Sequence, residues 1–122
     1  MSERLRRRYF AIKLETEEEV DKWKVVNSIW NAIYELFGDY GASKVGLATI
    51  EYKEKENLLI LRCYHKAVDM VRAAIAFITK IEDKPVAMHV IAVSGTIKAL
   101  RRKIKGQTLS FSSSFQSMDK AS

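Results

Sequence analysis

The stretch LLILRCY, residues 58–64, decides how the sheet of this protein must be covered. Side chains along a strand point alternately to the two faces of a sheet. Leu58 and Ile60 therefore lie on one face, and the leucines that follow each of them lie on the other. The segment 86–93 is also apolar on both faces. Since neither face of these strands is polar, we predict a sheet that is buried on both sides.

Two strand–helix units surround this stretch and predict a β-α-β-β-α-β order. Alternating or continuous apolar residues predict strands, and apolar residues three and four apart predict helices. We expect strands at 7–14, 45–52, 58–64 and 86–93, helices at 17–37 and 65–81, and turns at 38–43, 53–57 and 83–85. This order indicates an α+β, ferredoxin-like or RRM-like sandwich with a four-stranded antiparallel sheet and an added C-terminal basic helix. We assign residues 1–106 to this single domain and 107–122 to a Ser-rich, disordered tail.

The first predicted helix carries an apolar stripe. Thr16 would cap it, with Glu19 completing a capping box, and the helix, whole or broken in two, would end at Gly38. The stripe that we expect to face the core consists of Trp23, Val26, Trp30, Ile33 and Phe37. Ile29 and Leu36 fall outside this stripe, which leaves apolar surface for a protein partner.

The segment SGTIKALRRKIKG, residues 94–106, predicts a short helix with two different faces. Ser94 or Thr96 would cap its start, and Ile97, Leu100 and Ile104 share one side at helical spacing. We expect this apolar side to cover the second face of the sheet, so that the charged residues point outward. Those residues are Lys98, Arg101, Arg102, Lys103 and Lys105.

The charge of the chain is concentrated in basic blocks, which indicates a polyanion partner. The formal net charge is +6 and the pI is about 9.5. One block is the basic helix, and another comprises Arg4, Arg6, Arg7 and Arg8. Arg62, inside an apolar strand, needs either a structural ion pair or a phosphate. Solubility alone is the simpler alternative for such charges, but two separate blocks favour a polyanion.

The sequence contains no pattern of a self-contained active site. Cys63 is the only cysteine, the two histidines are far apart, and neither metal-ligand spacing nor a phosphate-binding glycine loop occurs. We therefore predict no catalytic residue and no metal site. An RRM would place stacking aromatics on the strand at 58–64, where this chain has leucines. Tyr9 and Phe10 could stack on bases, although we favour core roles for both.

The cellular location follows from the same features. A lone cysteine agrees with a reducing compartment, and no apolar run approaches the length of a membrane span. The N-terminal segment is basic but lacks the apolar stretch of a signal peptide. We therefore expect a cytoplasmic protein.

Three stretches together resemble a known family. They are RRRYFAIKLE near the start, LLILRCYHKAVDMVRAAIAFI in the middle and VIAVSGTIKALRRKIKG near the end. In their order and spacing the chain is similar to the ribonuclease P protein component 2 family, the small RRM-like protein subunits of archaeal and eukaryotic ribonuclease P. The resemblance covers roughly residues 5–106 and leaves the tail outside.

The resemblance implies a non-catalytic subunit of the ribonucleoprotein that cleaves the 5′ leader from precursor tRNA. It implies that the RNA is the catalyst and uses magnesium ions, while the protein itself binds no cofactor. It implies as partners the ribonuclease P RNA, precursor tRNA and a larger TIM-barrel-like protein subunit, and it allows self-association within a heterotetramer. The RNA-binding residues that we carry over are Arg4, Arg6, Arg7, Arg8, Arg62, His65, Lys66, Lys98, Arg101, Arg102, Lys103 and Lys105.

Two other functions compete with this one. A ferredoxin-like regulatory or oligomerisation module that binds a small anionic metabolite would use one basic cluster rather than two. A peripheral membrane protein would use the basic helix as an interfacial anchor. That helix has only three apolar anchors and no aromatic residue, which does not favour a membrane role.

Overall fold

The computed structural model of the protein describes residues 6–106. Four longer strands form the main sheet: β1 (Arg7–Glu15), β2 (Ala48–Lys53), β3 (Leu58–Tyr64) and β6 (Ala87–Ser94). Two short strands, β4 (Lys80–Ile81) and β5 (Lys84–Pro85), form a separate hairpin. The helices are α1 (Lys22–Ala42), α2 (Val68–Phe77) and α3, which occupies residues 97–106. Arg4 and the predicted tail at 107–122 lie outside the described residues.

The main sheet is antiparallel and has the strand order β2-β3-β1-β6. β1 lies between β3 and β6, so the first strand of the chain is central. Phe10 lies opposite Leu61 of β3, and on the other side it lies opposite Val93 of β6. The predicted four-stranded antiparallel sheet is confirmed, and the segment 54–56 connects β2 to β3 as a short 3₁₀ turn.

Both faces of the sheet carry a buried hydrophobic cluster, as the apolar strand β3 predicts. On the side of α1 and α2, the larger core includes Phe10, Ile12 and Leu61, all fully buried. On the opposite side, α3 completes a smaller cluster of Ala11, Leu58, Ile60, Ala92 and Leu100. We call these the α1/α2 side and the α3 side of the sheet. Alternate residues of β1 and β3 thus enter different hydrophobic clusters.

The start of α1 differs from the prediction. The helix begins at Lys22, after Asp21, rather than at residue 17. The Thr16 hydroxyl donates a hydrogen bond to the Glu18 carbonyl oxygen at 2.9 Å, so it stabilises a local turn and does not cap the helix. The hydroxyl of Tyr52 donates to the Val20 carbonyl at 2.7 Å and ties this segment to β2. The predicted capping box of Thr16 and Glu19 is therefore wrong.

The buried side of α1 also differs from the predicted stripe. Val25, Ile29, Ala32 and Ile33 are buried, although Ile29 was expected outside the stripe. Trp23, which was expected in the core, is 73% exposed. The helix is broken at Gly38, whose φ of 71° and ψ of −178° are accessible to glycine and strained for other residues. The first helical segment thus ends at Gly38, as predicted, but helical structure resumes after it, within the segment that was predicted as a turn.

The second helix is shorter than predicted. After a 3₁₀ turn at His65–Ala67, α2 ends at Phe77, four residues before the predicted end. The chain instead forms the β4–β5 hairpin, where Glu82 and Asp83 both have positive φ angles. Two successive residues of positive φ are typical of the two-residue turns that join antiparallel strands. The predicted turn at 83–85 is therefore a hairpin that begins at residue 80.

Candidate nucleic-acid interface

The basic helix α3 is held in place at its start and along its apolar side. The Ala99 amide donates to the Thr96 hydroxyl oxygen at 3.2 Å, so Thr96 is the cap. Leu100 is fully buried in the cluster on the α3 side of the sheet, with Ile97 and Ile104 packed around it. The predicted docking of this helix on the sheet is confirmed. Within residues 6–106, no helix is long and apolar enough to cross a membrane.

The docking of α3 on the sheet determines which of its cations point into solvent. Successive residues of a helix are about 100° apart, so Lys98, Arg102 and Lys105 point away from the buried Leu100. Arg101 and Lys103 lie on the two flanks. The Arg101 Nη2 contacts the Glu51 Oε2 at 3.2 Å, and the Lys103 Nζ donates to the Val93 carbonyl oxygen at 2.7 Å. We call the five residues together the basic face of α3.

A second group of cations forms where β1 begins and β3 ends. The His65 amide donates to the Arg6 carbonyl oxygen at 2.6 Å, and Arg7 lies opposite Tyr64 in the sheet. Arg62 lies two residues before Tyr64 on the same side, and Lys66 follows His65 in the exposed 3₁₀ turn. We call Arg6, Arg7, Arg62, His65 and Lys66 the strand-end cluster. The structure therefore brings together two sets of predicted residues that are far apart in the sequence.

Arg8 is separated from this cluster. It alternates with Arg7 along β1 and follows the side that Phe10 occupies, which is the α1/α2 side. A Cβ atom built on Gly95 would lie 3.2 Å from the Arg8 Nη1, which places the guanidinium near the turn after β6. The basic block at residues 6–8 is therefore divided between the two sides of the sheet.

Arg62 lacks the ion pair that the sequence left open. No carboxylate lies within 4.0 Å of it in the part of the chain that the structure describes. Its Nε is buried and has no hydrogen-bond acceptor there. A buried donor without an acceptor is costly, so Arg62 stands out among the predicted residues.

Two tyrosines share the α3 side with Arg62. Tyr9 lies directly opposite Arg62 and is half-buried, whereas Phe10 is fully buried in the core as expected. Tyr64, also half-buried, was not singled out from the sequence. The signal was the alternation of β3 itself, because Leu58, Ile60, Arg62 and Tyr64 must follow one another on the same side.

The other polar groups with chemical potential are the possible metal ligands and the thiol of Cys63. Among residues 6–106, no three His, Cys, Asp or Glu side chains are grouped as a metal ion would need. Cys63 is fully buried, and burial raises the pKa of its thiol to about 11. The thiolate, which is the reactive form, is therefore disfavoured.

A cavity of about 510 Å³ lies between α2 and β6. It is lined by apolar residues together with Thr79 and Glu15, and no lysine or arginine among residues 6–106 lines it. A small anion would find neither a cationic side chain nor a glycine-rich loop there. The cavity thus offers no support for the alternative of an anionic metabolite site.

One flank of α1 exposes large aromatic residues. Trp23, Trp30, Tyr34 and Phe37 recur at helical spacing, and the rings of Trp30 and Tyr34 are 6.0 Å apart. Tyr34 is 48% exposed and Phe37 is 36% exposed. We call these four residues the aromatic stripe of α1. Trp30 is half-buried and packs against the larger core, whereas the other three are exposed. Large exposed apolar patches mark interaction sites.

Comparison with known proteins agrees with this architecture. The sequence profile of the Rpp14/Pop5 family matches residues 8–105. Ribonuclease P protein component 2 of Methanocaldococcus jannaschii is 36% identical over 103 residues, covering 84% of this chain and 75% of that protein. The protein of the same name from Methanobrevibacter smithii is 33% identical over 105 residues, covering 80% of this chain and 88% of its own length.

A solved structure shows the same fold. A chain in the cryo-EM structure of yeast ribonuclease MRP superposes with a TM-score of 0.63 over 95% of this chain and 98% of that chain, at 13% sequence identity. The likeness extends over the sheet and its helices. The profile match over residues 8–105 and the relatives above 30% identity confirm the resemblance, and the chain belongs to the Rpp14/Pop5 family.

Proposed function

We propose that this protein is a non-catalytic subunit of ribonuclease P, where it supports the RNA that cleaves the 5′ leader from precursor tRNA. Family membership supports this role, because relatives that cover most of the chain are named ribonuclease P protein component 2. The observation that carries the proposal is the geometry of α3. Its apolar side is buried against the sheet, and its cations are left in solvent.

The basic face of α3 binds RNA through phosphates in this proposal. Lys98 and Arg102 have no ion-pair partner among residues 6–106 and point away from the sheet. Each cation that neutralises a phosphate releases counterions and makes the affinity sensitive to salt. Arg101 and Lys103 are already engaged by Glu51 and by a backbone carbonyl, so we expect smaller contributions from them.

The test is the affinity for ribonuclease P RNA as a function of salt. The double variant Lys98→Ala/Arg102→Ala should weaken binding and lower the log–log salt slope by about one to two. The control is Lys22→Ala/Lys55→Ala, which removes the same charge from exposed positions outside both basic clusters. Equal salt slopes for the two double variants would show that α3 is not part of the surface that binds RNA.

Catalysis belongs to the RNA in this proposal. The described carboxylates, histidines and cysteine do not converge as magnesium ligands, so we place the magnesium ions on the RNA and assign no chemical step to this chain. Its side chains bind and position RNA. Purified protein with precursor tRNA and magnesium should leave the leader attached, whereas the assembled RNA and protein subunits should remove it. Cleavage by rigorously RNA-free protein would contradict this role.

The aromatic stripe of α1 is the surface that we propose for the larger TIM-barrel-like subunit. Of the two residues of α1 predicted to leave apolar surface, Ile29 is buried and Leu36 is exposed. Trp23 and Tyr34 expose larger apolar side chains, which supports this choice of surface. Trp23→Ala/Tyr34→Ala should weaken the complex with the larger subunit in about 1 M salt, a concentration that screens phosphate contacts. Ile50→Ala is the control, since Ile50 is an exposed apolar residue on β2. Unchanged complex formation by the double variant, seen by light scattering, would exclude this surface.

A further inference from the structure

Among residues 6–106, the α3 side of the sheet is divided into a part covered by α3 and a part without a buried cluster. Ile60, Ala11 and Ala92 lie side by side on β3, β1 and β6, and all three are buried with Leu100 of α3. The next position on β3 is Arg62, with Tyr9 beside it, and Tyr64 follows with Arg7 beside it. Thus the sheet continues beyond the buried cluster with two tyrosines and two arginines on one side.

Arg62 is held in this patch without an acceptor. Its strand neighbours are Tyr9 on one side and Ala48 on the other, and neither is acidic. Glu51, the acid that β2 contributes to this side, pairs with Arg101. The Arg62 Nε is buried and has no partner among residues 6–106. The Nε itself is shielded, but the residue as a whole is only half-buried. The remaining N–H groups of the guanidinium can therefore bind two phosphate oxygens of another molecule through a fork.

The tyrosines are fixed in position by the sheet. Tyr9 packs against the hydrophobic cluster beneath α3. A Cβ atom built on Gly46 would lie 2.4–2.6 Å from three ring atoms of Tyr64, so the ring rests directly on the Gly46 backbone. Rings that are fixed in this way lose little freedom when a base stacks on them, and base–aromatic stacking is tolerant of sequence.

The surroundings favour RNA over an acidic protein as the source of the anion. Arg6 and Lys66 are exposed beside the patch and add positive charge. We propose that Arg62, Tyr9 and Tyr64 form a site for one unpaired nucleotide of RNA, with its phosphate on the Arg62 guanidinium and its base against a tyrosine ring. This inference rests on the proposed RNA-binding function and adds a contact that charge alone does not supply.

The size of the patch limits the site to about one nucleotide. An RRM sheet stacks two or three bases across its open face, whereas here α3 occupies the adjoining positions at Ile60 and Ala11. A base inside a paired helix cannot reach a ring that lies within a sheet surface. The site therefore selects RNA with a bulged or otherwise unstacked nucleotide.

The experiment compares two RNA hairpins that differ by one bulged 2-aminopurine, a fluorescent base whose emission falls when it stacks. The full-length protein should bind the bulged hairpin about 10-fold more tightly than the paired hairpin, which is a typical value for one stacked base, and should quench its emission. Arg62→Lys, which keeps the charge but loses the fork, should remove most of this preference, and so should Tyr64→Leu. Tyr64→Phe should retain it. Circular dichroism verifies that each variant is folded.

The outcomes separate this site from the basic face of α3. Lys98→Ala/Arg102→Ala should weaken both hairpins equally and leave the preference intact. If the protein shows no preference, or if the preference survives both Arg62→Lys and Tyr64→Leu, the nucleotide site is wrong while salt-dependent binding still stands. If neither hairpin is bound in a salt-dependent way, the proposed function itself fails. If Arg62→Lys impairs only the complex with another protein subunit, the anion is a carboxylate and the inference is overturned.

Discussion

Leu100 provides the most direct test of the way α3 is attached to the sheet. Its side chain is fully buried among Ala11, Leu58, Ile60 and Ala92. Leu100→Ala removes three carbon atoms, worth about 0.8 kcal/mol each as transfer free energy, or about 2.4 kcal/mol in total. The residual cavity adds to this loss, although a small cluster closes partly around it. We therefore expect the free energy of unfolding to fall by about 2–4 kcal/mol.

The assay is urea denaturation followed by tryptophan fluorescence, since Trp23 and Trp30 both lie on α1. With an m-value of about 1.5 kcal/mol per M, the midpoint should fall by about 1.3–2.7 M. Lys98→Ala is the matched control on the exposed side of the same helix and should change the free energy of unfolding by less than about 0.5 kcal/mol. If Leu100→Ala costs less than about 1 kcal/mol, α3 does not pack on the sheet as described.

Three further predictions concern other parts of the fold. Gly38→Ala should destabilise the protein by about 1–3 kcal/mol because of the backbone angles at the break in α1; thermal denaturation measures this, and an unchanged melting temperature would contradict the break. Burial raises the pKa of Cys63 from 9.0 to about 11, so the unfolded chain loses that proton first and stability should fall between pH 9 and 11. Cys63→Ala should make this fall less steep in urea titrations at each pH, and identical slopes would refute the assignment. The ammonium of Lys84, which bonds to Glu18, lowers the pKa of that carboxyl; Lys84→Ala should raise it toward its ordinary value in an NMR titration, whereas an unmoved pKa would show that the pair does not form.

The wrong prediction for the buried side of α1 shows that apolar spacing alone cannot decide which side of a helix is buried. Two apolar stripes overlap on this helix, one with large aromatics such as Trp23 and Phe37 and one with Val25, Ile29 and Ala32. Both have helical spacing, so the sequence alone does not select between them. The folded chain buries the stripe with smaller side chains, because α1 must pack closely against both the sheet and α2. Trp23, Tyr34 and Phe37 are left at the surface, and Trp30 is half-buried at the edge of the core.

The candidate site was predictable only in part, for a related reason. The outward charges of α3 follow from its own sequence, because the positions of Leu100 and its apolar neighbours fix which side is buried. The separation of Arg8 from Arg7, and the lack of an acceptor for Arg62 among residues 6–106, depend on which strands pair and in which register. Strand register across about 50 residues of intervening chain is not encoded in any local pattern.

The central position of β1 affects how the chain is made. The ribosome produces β1 first, but its neighbour β3 follows only at Leu58 and its other neighbour, β6, only at Ala87. Until then Phe10 and Ile12 have no second strand beside them, and contacts between such distant segments form slowly. A nascent chain that stops before β6 therefore leaves an unpaired apolar edge, which favours aggregation. The nascent polypeptide must remain protected until more than four-fifths of the domain has been synthesised.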